Sequence, residues 1–233
     1  TIMLKDTQAG FGSGYFIEPV AMGGKVYFLA YTTPNTYALW ETDGTPEGTR
    51  RVFDIRPGTP GSTPEGMCGL GGRIFFSAFD DQHGRELWVT DGIPGNTTMV
   101  KDINTSGSGL AGHFRDAFAP LGDALYFVAD DGSKGSALWK TDGSEGGTEY
   151  VATIAGITAD DRPEFLGSTG SLLYFRIWAD DSLEWWVTDG SGPGTELLAD
   201  PGSSWTSGSA AVAGDRLFFV ETDEDHGTEL WMS

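Results

Sequence analysis

The chain has 233 residues and carries 34 acidic against 14 basic side chains, a net charge of −20 that repels nucleic acid and anionic membrane surfaces. No apolar run approaches the roughly 18 residues a membrane helix needs, and the single cysteine, Cys68, excludes an intrachain disulfide. Thirty-five glycines among short aromatic and β-branched runs favour an all-β protein with many tight turns.

The chain opens on TIMLKD (1–6), which has neither the basic start nor the apolar run of a signal peptide. The segment instead matches TTMVKD (97–102). A first repeat then follows, with KVYFLAY (25–31) as a strand and ALWETDG (38–44) after it. In the second repeat PEGMCGL (64–70), RIFFSAF (73–79), ELWVT (86–90) and TMVKDI (98–103) read as four strands. Gly71-Gly72 and Asp91-Gly92 supply the turns between them. Cys68, between Met67 and Gly69 on the first of these strands, reads as a small buried hydrophobe. The third, fourth and fifth repeats carry ALYFVAD (124–130), LLYFRIW (172–178) and RLFFVET (216–222) in the second-strand slot. Trp40, Trp88, Trp139, Trp186 and Trp231 mark the period, at spacings of 45 to 51 residues. Strand-rich periods of this length indicate propeller blades.

The expected fold is therefore a five-bladed β-propeller with four antiparallel strands per blade. The blades run over 7–54, 55–102, 103–153, 154–200 and 201–233, the last completed by 1–6. Closing a ring in this way would remove an exposed strand edge. About six residues of the fifth Asp-Gly turn have no counterpart between Ser233 and Thr1.

At ELWVTDG (86–92), with ALWETDG, ALWKTDG and EWWVTDG as near copies, the sequence resembles the ELWxxDGT repeat family of bacterial surface and secreted proteins. The resemblance covers essentially the whole chain and implies a propeller in an extracellular setting. It implies no catalytic residue. Ala38 and Ala137 depart from it at the Glu slot, and Trp185 departs from it at the Leu slot.

Chemistry-bearing residues fall into four groups. Asp43, Asp91, Asp142 and Asp189 precede glycines and are placed to cap their own turns. The repeated tryptophans suit packing between blades. The loops joining second to third strands carry Asp80, Asp81, Asp130, Asp131, Asp180, Asp181, Asp223 and Asp225, hard-oxygen donors of the kind Ca²⁺ takes, although adjacent acids also serve as solvated turns. Tyr31, Phe79 and Trp178 stand just before those loops, and the blade connections add Phe114 and Trp205. Rings beside carboxylates suit the apolar face and hydroxyls of a sugar, or they cap the core at strand ends.

His83, His113 and His226 are scattered, and no metal-ligand spacing, nucleophile elbow or phosphate loop is present. These features indicate an extracellular binding or adhesion module for a glycan or a protein. Two alternatives are a glycan hydrolase with carboxylates at a channel mouth and a structural subunit of a larger surface assembly.

Overall fold

The structure is a computed structural model, and it describes residues 3–6, 16–33, 36–53, 61–110, 117–154, 157, 162–179, 182–199, 209–223 and 227–233. The chain divides into two compact units, 1–115 and 116–233. Among the described residues the fold is all-β, with five antiparallel sheets and one short 3₁₀ turn at Pro94–Asn96.

The first unit holds two sheets. One runs in the order β1 (Phe16–Met22), β2 (Lys25–Thr33), β3 (Thr36–Thr42) and β4 (Arg50–Phe53). The other runs β5 (Glu65–Leu70), β6 (Arg73–Asp80), β7 (Gly84–Thr90) and β8 (Thr98–Lys101). In the second unit come β9 (Phe118–Leu121), β10 (Ala124–Asp130), β11 (Ser136–Thr141) and β12 (Glu149–Thr153). They are followed by β13 (Arg162–Ser168), β14 (Leu173–Ala179), β15 (Ser182–Thr188) and β16 (Thr195–Ala199). The fifth sheet has three strands, β17 (Ala210–Ala213), β18 (Arg216–Asp223) and β19 (Gly227–Met232). Met3–Asp6 lie outside any strand.

Each sheet is a plain meander in which neighbours in sequence pair in space. The β6–β7 hairpin is tighter than the sequence suggested. Asp80 pairs with Gly84, so β7 begins two residues before the Glu86 at which a third strand was expected. All four complete sheets share one irregularity: the register of the third and fourth strands slips at Leu39/Trp40, Leu87/Trp88, Leu138/Trp139 and Trp185/Trp186.

The second strands explain why the sequence shows continuous apolar runs rather than strict alternation. On β14, Leu173, Phe175 and Ile177 join Leu138, Ile154 and Phe165 between the third and fourth sheets. Tyr174, pointing the other way, joins Trp185, Leu217 and Phe219 between the fourth and fifth. Both faces of the strand are covered, so both parities must be apolar. The Trp185 and Phe219 rings lie 4.9 Å apart, and Trp185 is fully buried. In the first unit Leu29, Leu39, Ile74, Phe76 and Ala78 form the corresponding layer, with Val20, Met67 and Trp88 packed against it.

Candidate functional site

Each complete sheet has two chemically distinct ends. One end carries the Asp-Gly turns between third and fourth strands, together with the hairpins between first and second strands. The other carries the hairpins between second and third strands, together with the connections to the next sheet.

The Asp-Gly turns repeat one small network. In the first, Asp43 Oδ1 accepts from the Thr45 N–H at 2.9 Å and from the Thr45 hydroxyl at 2.7 Å. The Thr42 and Thr49 hydroxyls meet at 2.7 Å, and the Gly44 and Gly48 N–H groups donate to Thr42 and Thr45. Asp142 with Ser144 and Asp189 with Ser191 repeat this pattern. Gly48, Gly147 and Gly194 have no alternative at their position, because a Cβ there would overlap the aspartate carboxylate.

The second sheet reaches the same end with different residues. Ile93 replaces the hydroxyl residue and Asn96 replaces the glycine, and the Asn96 amide donates to Asp91 Oδ2 at 2.7 Å. The donor lost at one position is restored from another. These bonds hold the carboxyls below the ordinary aspartate value. The Thr45 hydroxyl leads at Asp43, the Asn96 amide at Asp91 and the Ser191 hydroxyl at Asp189.

The same turns lock neighbouring sheets together. Tyr126, on β10 of the third sheet, places its hydroxyl against Gly190 of the fourth sheet's turn, where a Cβ would collide with it. Gly190 also has φ +89°, so glycine answers two demands at once. Tyr27 and Gly92 make the same contact between the first and second sheets.

At the opposite end the acid pairs form hairpin turns. Asp80 Oδ1 accepts from the Gln82 and His83 N–H groups, and Asp80 Oδ2 pairs with His83 Nδ1 at 2.8 Å. That bond pushes the half-buried His83 imidazole above its ordinary value. Asp130 caps Gly132, while Asp131 accepts from both the N–H and the hydroxyl of Ser133 and from the N–H of Lys134. Among the described residues no three His, Cys, Asp or Glu side chains converge as metal ligands. Ca²⁺ takes about 6–8 oxygens, and in this structure Asp80 and Asp131 accept hydrogen bonds within their own turns. Asp180, Asp181 and Asp225 lie outside the described residues, and Asp223 closes β18.

The candidate aromatics divide similarly. Tyr31 is half-buried and meets its cross-strand partner Tyr37 edge-on, with ring centroids 4.9 Å apart. Phe79 is half-buried at the end of β6, its N–H bonded to the Ser62 carbonyl. Trp178 is half-buried and packs against the cluster around Trp185, so part of its ring serves the core. Phe114 and Trp205 lie outside the described residues. Cys68 is half-buried on β5, where burial pushes its thiol up to about 11.

The sequence motif did not reveal the part played by Arg85 and Glu86. These neighbours on β7 point to opposite faces, and each fixes one of the second sheet's two connections. Arg85 Nη1 donates to the Thr63 carbonyl at 3.0 Å and to Ser77 Oγ at 3.1 Å. Its Nη2 donates to Thr63 Oγ1 at 2.6 Å, and Glu65 Oε2 lies 3.7 Å from Nη1. These bonds hold Thr63 at φ +40°, a rare conformation for a residue with a Cβ. Glu86, fully buried, accepts from the N–H groups of Gly109 at 2.7 Å and of Ile103 and Asn104 at 3.3 Å. The signal available was comparative: the Arg85 position holds Tyr37, Ser136, Leu183 and Thr228 in the other repeats.

No family model and no curated protein sequence matches the chain. Solved structures do match. TolB from Acinetobacter baumannii is 17% identical over 91% of this chain and 50% of its own, with a TM-score of 0.55. A puromycin-hydrolyzing peptidase of Mycobacterium tuberculosis is 14% identical over 94% of this chain and 36% of its own, with a TM-score of 0.59. The β-propeller domain of the Trilobed protease from Pyrococcus furiosus is 13% identical over 94% of this chain and 69% of its own, with a TM-score of 0.52. The chain thus spans about half the length of TolB and about a third of the peptidase. At these identities the likeness is one of fold, and the fold is that of the β-propeller proteins.

Proposed function

We propose that the chain is a secreted or surface-exposed recognition module of the ELWxxDGT repeat kind, binding a glycan or a protein through the end that carries the hairpins and connections. The observation that supports this best is the slot closing the second strand. Tyr31, Phe79 and Trp178 are all half-buried there, and the Asp80 carboxylate in the turn after Phe79 is already oriented by the Gln82 and His83 N–H groups. Rings held this way offer a face to a ligand with little ordering cost. The described acids are engaged in their own turns, which favours binding over the hydrolase alternative. A glycan array tests the reading. Binding should appear for a restricted set of sugars and fall at least tenfold in Tyr31→Ala and Trp178→Ala. An array blank for the native chain sends the search to protein partners, and release of reducing ends from any glycan overturns the module reading.

We also infer that residues 1–6 supply the fourth strand of the fifth sheet. TIMLKD matches TTMVKD, whose residues include β8, and β19 leaves Leu230 and Met232 exposed. Deleting 1–6 should lower stability by about 2–4 kcal/mol in urea titration. An unchanged midpoint would refute the pairing.

A further inference from the structure

The connection leaving the second sheet is folded around a carboxyl group. Glu86 has no exposed surface, and backbone N–H groups from both ends of the segment 103–110 converge on it. There is no slack in this arrangement. A Cβ at Gly109 would lie 2.6 Å from both Glu86 oxygens and 2.9 Å from the Ile103 side chain. The segment is closed further by Leu110 N–H to the Arg85 carbonyl at 3.1 Å, and by Arg85 N–H to Ser108 Oγ at 2.9 Å. Its outer residues, Thr105 to Ser108, are exposed.

The charges around Glu86 are mostly of its own sign. Asp102, just past β8, faces it and has one buried oxygen that accepts no hydrogen bond from the described residues. His83, in the β6–β7 turn, faces both acids but is held by Asp80. Arg85 points to the opposite face and is occupied with Thr63, Ser77 and Glu65. No described cation forms an ion pair with Glu86.

We propose that Glu86 makes the 103–110 connection a proton-operated latch, held shut by the protonated carboxyl and loosened as that carboxyl ionises. The direction follows from linkage. Burial, reinforced by the Asp102 charge, pushes Glu86 up to about 7 despite the three N–H donors. A group raised in the closed state contributes its full stability below its open-state value. That stability is lost as pH rises through the closed-state value. The loss therefore runs from the ordinary glutamate range to about 7, so the latch is firm in mild acid and weak above neutrality. The device operates whatever the loop end binds.

Amide hydrogen exchange at Ile103, Asn104 and Gly109 reads the latch directly. After correction for intrinsic exchange, opening should rise on the order of tenfold per pH unit between about 5 and 7, then level off. Glu86→Gln, isosteric and uncharged, should abolish that dependence. Asp102→Asn should move the plateau to lower pH by removing the neighbouring charge. Flat protection in the native chain, or a native-like rise in Glu86→Gln, overturns the proposal. Should the Gln variant not fold, a carbon-detected titration of Glu86 in the native chain decides: a midpoint near 7 shared by the Gly109 amide supports the latch, and one in the ordinary glutamate range refutes it.

Discussion

At the Asp-Gly end, three of the four turns use the same hydroxyl, carboxylate and glycine at matching positions, and the second reaches an equivalent network through Asn96. At the hairpin end the sheets share almost nothing. Tyr31 stacks edge-on with Tyr37, Asp80 clasps His83, Asp131 clasps Ser133 and Lys134, and only the second repeat has an arginine at the Arg85 position. The repeated end carries sheet-to-sheet contacts, so a change there disturbs two sheets. The divergent end is fixed sheet by sheet at Asp80, Arg85 and Asp131, which leaves those loops free to change without their neighbours. Specificity on a rigid scaffold is usually built on surfaces of the second kind.

The sharpest way to break this comparison is at Gly190. Alanine there meets both the positive φ and the Tyr126 hydroxyl, and we expect a loss of about 2–4 kcal/mol by urea denaturation. Adding Tyr126→Phe should recover part of it, because the phenol oxygen is what the new methyl strikes. A loss that Tyr126→Phe leaves untouched would mean the turn does not couple the sheets. A smaller effect is expected at Arg85. Arg85→Met removes its donors to Thr63 and Ser77 and frees Thr63 from its φ of +40°, for about 1–3 kcal/mol. Exchange at the Phe79 amide, bonded to Ser62, should quicken while the Gly92 amide stays protected. Equal loosening of both amides would erase the distinction between the ends.

Most of the architecture was legible because the repeat states it five times. The second-strand runs fall on β2, β6, β10, β14 and β18 within a residue or two, and the Asp-Gly pairs sit in the expected self-capped turns. Period and turn chemistry are local, so a single sequence displays them. The candidate site was less legible. Asp80, Asp130 and Asp131 accept from backbone N–H groups in their turns, which composition does not show. Glu86 was visible only as a motif letter, since its partners lie 17 to 23 residues away. Asp102 beside it gives no sign in the sequence that one of its oxygens is buried. At Trp178 the sequence leaves open a platform or a cap on the core, because its packing comes from a cluster shared with the next sheet.

The slip between third and fourth strands bears on how the molecule tolerates its own company. Every complete sheet ends in a strand of four or five residues, bent by that slip and carrying charge, as at Arg50, Arg51, Lys101, Glu149 and Glu196. At these four sheets a second chain seeking the last strand to pair with finds a short, crooked ladder, and the net charge of −20 discourages its approach. Among the described residues the four complete sheets thus end in edges poorly fit to seed a fibril, and they owe this to a one-residue irregularity repeated at the same tryptophan step.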